Sequence, residues 1–279
     1  MSVVEGFSLA GKSAVVIGAS NPLGRAAAVA LAEAGANVGV ATTTRAKKEE
    51  VVANSCANEI WALDRKGFAL SIDASLESDI DALAERAASE LGGIDILVNA
   101  HDLPYAKPIG DISFHDWRRT MDVNLGGVFL ACKIIGGAMV DRGQSQPAHP
   151  EPIEGLPYER TEPSGGRVIN VSTVMGERGM ANGTVYCAAQ AGVLNMTRAL
   201  ALEWARTGVT VNAIGAGWTE GMGIIGGDDN QQQLERYLPY KRLAKPAEIA
   251  GIAVYLASDA AEYMTGQVIW IEGGALSHV

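Results

Sequence analysis

The sequence predicts an α/β fold, a doubly wound parallel sheet built as a single domain over residues 1–279. Three observations carry this. Short runs rich in Val and Ile alternate with longer helical patterns along the chain, the β-α rhythm of a parallel sheet covered on both faces. The turn "GASNPLG" (Gly18 to Gly24) closes the first run and opens the first helix, as phosphate-receiving turns do. No composition shift or internal repeat divides the chain.

Taken in order, "SAVVIG" from Ser13 is a buried strand, and "LGRAAAVALAEAG" is a helix ending at Gly35. "NVGVAT" is a second strand, followed by a charged helical stretch from Arg45 to Lys66. "GFALSID" is a third strand, and "SDIDALAERAASELG" is a helix with Gly92 past its end. "IDILVNA" is a fourth strand, and two helices follow, around Asp116 to Asn124 and Gly127 to Arg142. "GRVINVS" is a fifth strand, "YCAAQAGVLNMTRALALEWART" a long helix and "VTVNAIG" a sixth strand. "PAEIAGIAVYLAS" is a helix, and "GQVIWIEGG" the last strand. One segment breaks the rhythm. Gly143 to Gly166 holds five prolines, which excludes regular structure and marks an insertion at about 143–166. It enters at the N-terminal edge of the fifth strand, whereas ligands of such sheets sit at the C-terminal edges. It therefore reads as a surface or oligomer element and not as part of the chemistry.

Composition narrows the function. Hydrophobic residues make up 48% and charged residues 19%, which describes a well-cored chain. The net charge of −10 argues against nucleic acid and anionic membranes as partners. Cys56, Cys132 and Cys187 form no CxxC pair, and the four histidines have no ligand spacing, so no metal is expected. With no signal-peptide pattern at the start and no run read as long and apolar enough to cross a bilayer, a cytoplasmic protein is expected.

In the first turn, Gly18 permits the sharp bend and Gly24 the close packing of the helix, while Pro22 is tolerated where a helical N–H is unpaired anyway. By itself such a turn is equally a structural one. The whole series "GASNPLG", "ILVNA", "MDVNLGGVF", "GRVINVSTVMG", a Tyr and a Gln four apart on a long helix, "VNAIGAGW" and "RLAKPAEIAGIAVYLASDAAEYMTGQVIWIEGG" resembles the short-chain dehydrogenase/reductase family. It is most like the family's 3-oxoacyl-carrier-protein reductase-like members. The resemblance covers the chain apart from the proline-rich insertion and implies a Rossmann-type fold with an NAD(P) dinucleotide along the C-terminal strand edges. On it, Gly18, Ser20, Asn21, Leu23 and Gly24 line the pyrophosphate and ribose. Asp73 and Ala74 meet the adenine. Asn99, Ala100 and His101, with Gly217, Trp218 and Thr219, fall around the rest of the cofactor.

At the end of the second strand the chain reads Thr42-Thr43-Thr44, with Arg45, Lys47 and Lys48 following. A carboxylate there would bond the ribose hydroxyls and repel a 2′-phosphate. None is seen, the hydroxyls suit a phosphate, and NADP is expected over NAD.

The same resemblance implies a catalytic tyrosine, Tyr186, and a relay asparagine, Asn124. Counting back from Tyr186 puts the family's serine position at Thr173, with Ser172 facing elsewhere because strand neighbours alternate. The family's lysine, which bonds the nicotinamide ribose and lowers the tyrosine pKa, is Gln190 here. An amide keeps the hydrogen bond and loses the charge, and a tyrosine that titrates near 10 needs help to work near neutrality. The family's "N-N-A-G" reads Asn99-Ala100-His101-Asp102. Its "P-G" reads Ala216-Gly217, and Gly221 replaces a threonine. His101 is a candidate substitute cation or proton carrier, or else a strand-end ring bonded to backbone. "GMGIIGG" (Gly221 to Gly227) suits a lid, and Met222 with Ile224 suits an apolar substrate. The expected reaction is hydride transfer between nicotinamide and a ketone or secondary alcohol. An inactive dinucleotide-binding subunit and a non-redox lyase or epimerase in the same pocket stay open. The family resemblance implies a homodimer or homotetramer, and the faces around Gly127 to Met139 and Val193 to Trp204 are apolar enough to serve.

Overall fold

The chain forms a seven-stranded, all-parallel sheet of order β3-β2-β1-β4-β5-β6-β7. It is known from a computed structural model that describes residues 5–145, 165–223 and 228–277. The strands are β1 (Ser13–Ile17), β2 (Asn37–Ala41), β3 (Gly67–Leu70), β4 (Ile96–Asn99), β5 (Arg167–Thr173), β6 (Thr210–Ala216) and β7 (Val268–Ile271). Each lies inside a run expected to be a strand, apart from Thr173 and Ala216, which carry β5 and β6 one residue further. The proline-rich segment at 146–164 lies outside the described residues, as do 224–227 within the expected lid.

Alternation along β1 divides the core. Ala14 and Val16 pack with α1 (Pro22–Glu33) and α9 (Pro246–Ala257), while Val15 and Ile17 pack with helices of the opposite layer. All five β1 residues are buried, and from Ala14 to Ile17 the central strand shows an unbroken apolar run instead of alternating polarity. The strand order reverses between β1 and β4, and the crevice at such a reversal is where ligands of open α/β sheets bind.

The two helices expected between β4 and β5 are one helix. α4 (Phe114–Met121), α5 (Gly127–Ala131) and α6 (Gly137–Ser145) follow one another through π-helical turns at Asp122–Gly126 and Cys132–Gly136. The Gly126-Gly127 pair, which reads as a break, runs through in helical backbone. Gly127 is small for a packing reason: a Cβ there would lie 2.9 Å from the Ala74 carbonyl oxygen and 3.0 Å from the His101 ring. This helix, Phe114–Gln144, is also long and apolar enough by composition to cross a membrane, contrary to the sequence reading. Its most apolar window is 56% buried within the fold, as a core helix is. The long helix α7 (Thr184–Glu203) carries Tyr186 and Gln190 beside the end of β5. A short helix, α8 (Asp228–Tyr237), was not anticipated because "DDNQQQLERY" holds only Leu234 and Tyr237 as apolar side chains.

Candidate active site

The turn after β1 is built by close approaches that only glycine allows. Gly18 has φ 89°, and a Cβ there would lie 2.2 Å from the Ala100 carbonyl oxygen. A Cβ on Gly24 would lie 2.3 Å from the Gly18 carbonyl oxygen. Asn21 caps α1 by accepting the Gly24 N–H at 2.9 Å, and its Nδ2 donates to Ala100 O. Pro22 occupies the first turn of the helix, and Leu23 anchors it in the core. A capped helix N-terminus held over a strand end in this way fits a pyrophosphate.

The end of β2 departs from the sequence reading, which found no carboxylate there. Glu49, in the first turn of α2 (Lys47–Ala62), folds back onto it. Its Oε2 accepts the N–H groups of Thr43 and Thr44 and the Ser20 hydroxyl, each at 2.9 Å. Its Oε1 accepts the Thr44 hydroxyl at 2.6 Å. Of the hydroxyls expected to meet a phosphate, those of Thr42 and Thr44 are otherwise engaged, since Thr42 donates to Ile72 O at 2.9 Å. Arg45 is held by Asp79 through two hydrogen bonds, and Lys47 pairs with Glu50. At β3 the Asp73 Oδ1 accepts the Ser75 N–H and hydroxyl, and the Ala74 N–H donates to Thr43 O.

After β4 the side chains diverge. Asn99 turns into the core, where Nδ2 donates to Asn170 Oδ1 at 2.9 Å and Oδ1 is enclosed without a partner. It offers no side-chain group to a ligand. His101 is 3% exposed and packs on Gly127, with both ring nitrogens unpartnered. Burial drives its pKa down to about 3, so it is a neutral ring, neither a cation nor bonded to backbone.

Asp102, the next residue, faces the cleft and accepts the Tyr186 hydroxyl at 2.7 Å. Burial raises its pKa to about 6, partly offset by that bond. Tyr186 is 1% exposed, and its pKa stands well above the usual value. Burial is the largest cause, the Asp102 charge adds to it, and the Thr173 hydroxyl acts in the opposite direction.

Thr173, not Ser172, stands on the cleft wall with Tyr186 and Asp102. Ser172 points to α7, where its hydroxyl donates to Gln190 Oε1 at 2.8 Å. The same Oε1 accepts the Thr173 N–H at 3.1 Å. A backbone N–H can only donate, so this contact fixes the amide with its oxygen toward β5. Asn124 lies in the first π-turn and clamps Leu103, accepting its N–H at 2.8 Å and donating to its carbonyl at 2.9 Å. It holds the backbone just past Asp102. The loop after β6 closes the other side, with Gly217, Trp218 and Thr219 on the cleft wall near Met175 and Met222. Thr219 is buried and bonded to Gly217 O.

The residues expected around the cofactor and reaction centre therefore meet along one sheet edge, apart from the Asn99 side chain. Sequence reasoning passed over Asp102 as a working group, although a carboxylate in place of the motif's glycine was the signal. Glu49 left no signal at the strand end, because it arrives from the next helix. Among the described residues no His/Cys/Asp/Glu cluster could hold a metal.

Residues 12–146 match the family model described as short chain dehydrogenase, and residues 157–275 match the one described as enoyl-(acyl carrier protein) reductase. A D-threitol dehydrogenase of Mycolicibacterium smegmatis is 33% identical over 98% of this chain and 96% of its own. The crystal structure of a putative short-chain alcohol dehydrogenase from Sinorhizobium meliloti superposes with a TM-score of 0.85 at 32% identity, covering 98% of this chain and all of the other. A putative NAD(P)-dependent gluconate 5-dehydrogenase from Beutenbergia cavernae, solved with NADP, gives 0.81 at 32% identity over 98% and 99% of the two chains.

Proposed function

Because the chain belongs to the short-chain dehydrogenase/reductase family, we propose that Tyr186 and Thr173 hold a ketone or secondary alcohol while a hydride passes to or from a nicotinamide dinucleotide. The chain is an NAD(P)-dependent oxidoreductase. The inactive and non-redox alternatives find no support in relatives that are named dehydrogenases and reductases. One observation carries the assignment of roles. The two hydroxyls share a cleft with the Gly217–Thr219 segment, on the strand edge that also carries the Gly18–Gly24 turn.

The bound dinucleotide supplies or removes the hydride. The turn and the capped N-terminus of α1 would hold its pyrophosphate, with Asp73 and Ala74 at the adenine end. Gly217, Trp218 and Thr219 would border the other end. Thr173 offers a hydroxyl to the substrate oxygen, and Tyr186 moves the proton at that oxygen. Asn124 keeps the Leu103 backbone and so the Asp102 segment in place. Met175, Trp218 and Met222 give the cleft an apolar wall, which suits a substrate with an apolar flank.

For the cofactor, the NADP preference expected from Thr42, Thr43 and the basic cluster meets a counterweight in Glu49. A ribose with both hydroxyls free can donate to that carboxylate, while a 2′-phosphate must displace it from four hydrogen bonds. On this geometry NAD is the better fit. We further assign a homodimer or homotetramer, with Phe129 and Leu202 exposed on the two apolar helix faces, and a cytoplasmic location in keeping with three free cysteines. We leave the 143–166 insertion out of the chemistry, because β5 begins at Arg167 and carries Thr173 at its other end.

The test is turnover of a panel of ketones and secondary alcohols followed by nicotinamide absorbance. Tyr186→Phe should reduce it by about 100-fold or more. Unchanged turnover in that variant rejects the role given to Tyr186.

A further inference from the structure

The reading of Tyr186 as the proton carrier leaves a difficulty. Among the described residues no cation acts on its phenol, which is held well above the range in which a phenolate forms at neutral pH. Gln190, at the position where the family resemblance places a lysine, turns its carbonyl oxygen to Ser172 and Thr173. No charge comes from that side.

We propose that Asp102 is the terminal proton acceptor and donor of the reaction, acting through the Tyr186 hydroxyl. The inference rests on the oxidoreductase reading above and on the 2.7 Å bond from the Tyr186 hydroxyl to Asp102 Oδ1. In alcohol oxidation the C–H bond breaks and its electron pair leaves as hydride to the oxidised nicotinamide. The alcohol O–H proton moves to the Tyr186 oxygen, and the proton already on that oxygen moves to Asp102 Oδ1. The products are the ketone, the reduced nicotinamide and a neutral Asp102, which returns its proton to water. Reduction runs each transfer backwards. The phenol never bears a full negative charge, so a lysine is not needed to stabilise one.

The surroundings suit the role. Asp102 lines the cleft together with Thr173 and Tyr186. Its pKa of about 6 falls where a general base works best near neutral pH, which the phenol's does not. Among the described residues, the groups facing it are these. Tyr186 comes from α7, and Thr173, Val174 and Met175 from the end of β5. Pro104 follows on its own segment, and Trp218, Thr219 and Met222 come from the loop after β6. Of these only Tyr186 ionises. His101 beside it is neutral and packs toward Gly127, and Cys187 acts on the phenol but not on Asp102.

The two directions should show opposite pH profiles. Oxidation requires the carboxylate, so kcat/KM rises with pH and levels off above about 6. Reduction requires the acid and falls through the same range. Asp102→Asn keeps a hydrogen-bond partner for the phenol, lowers kcat/KM by about 100-fold or more and removes both inflections. Added to Tyr186→Phe, it lowers activity no further. Independently of turnover, ultraviolet titration of the cofactor-free protein reads the Tyr186 phenol, which ionises at lower pH in Asp102→Asn than in the wild type. An Asp102→Asn enzyme that is as fast as the wild type, or faster, or that keeps the inflection, overturns the relay, as does an unmoved phenol titration. Loss of activity in Tyr186→Phe alongside a fully active Asp102→Asn rejects the relay and keeps the oxidoreductase reading. A wild-type chain that turns over no ketone or alcohol rejects both.

Discussion

Gln190 on α7 accepts the backbone N–H of Thr173 at the tip of β5, 3.1 Å away. A helix side chain thus fastens the strand residue that presents its hydroxyl to the cleft. Gln190→Ala leaves that N–H without its acceptor, while the Ser172 hydroxyl keeps the backbone carbonyl of residue 190 at 3.1 Å. Stability should fall by about 1–3 kcal/mol in urea unfolding. Gln190→Lys separates support from charge. Lysine cannot accept the Thr173 N–H, so stability falls again, while the added cation lowers the Tyr186 pKa and tyrosinate absorbance appears at lower pH. A lysine variant as stable as the wild type contradicts the fastening role.

Glu49 places a negative charge at the end of β2. Glu49→Gln removes that charge, and affinity for NADPH relative to NADH should rise by about tenfold or more, the effect of roughly one to two kcal/mol between near charges. Fluorescence titration of both reduced cofactors measures it. An unchanged ratio shows that Glu49 does not meet the ribose.

His101 makes stability depend on pH in a definite direction. The unfolded chain protonates this ring near 6.5, the folded chain only near 3. The unfolded state binds more protons in that window, so the ring's contribution is present above pH 6.5 and is lost as pH falls toward 3. Asp102 works in the opposite sense between about 4 and 6, where the folded state holds a proton the unfolded chain lacks. His101→Leu should flatten the acid limb, with the gap from the wild type widening as pH drops. Parallel limbs in a set of unfolding curves refute this.

Gly24→Ala places a methyl group 2.3 Å from the Gly18 carbonyl oxygen, so backbone must move. Destabilisation of about 1–3 kcal/mol is expected, together with weakened dinucleotide binding by titration. A variant that binds the cofactor normally shows that the turn does not hold it.

Legibility in the sequence followed the range of the forces involved. Strands β1 to β7 were readable because a buried parallel strand needs a local run of Val, Ile and Ala, as in Ser13–Ile17. The Gly18–Gly24 turn was readable because its close contacts admit one residue type. The helix through Gly126 was misread, since glycine signals a break until the crowding by Ala74 and His101 is known. Glu49 and the Asp102–Tyr186 bond escaped because each joins elements far apart in sequence. Neither burial nor the resulting pKa can be seen along a single strand of text. His101 invited a charged reading for the same reason.

The cradle at the end of β2 is filled by a carboxylate from the protein itself. Glu49 therefore acts as a tethered competitor toward any anion arriving there, present at an effective concentration of order millimolar. Discrimination between dinucleotides then becomes a contest of occupancy as well as of repulsion. Free sulfate or inorganic phosphate, present below that level, would lose the contest, and the resting protein would keep its anion site closed without a lid.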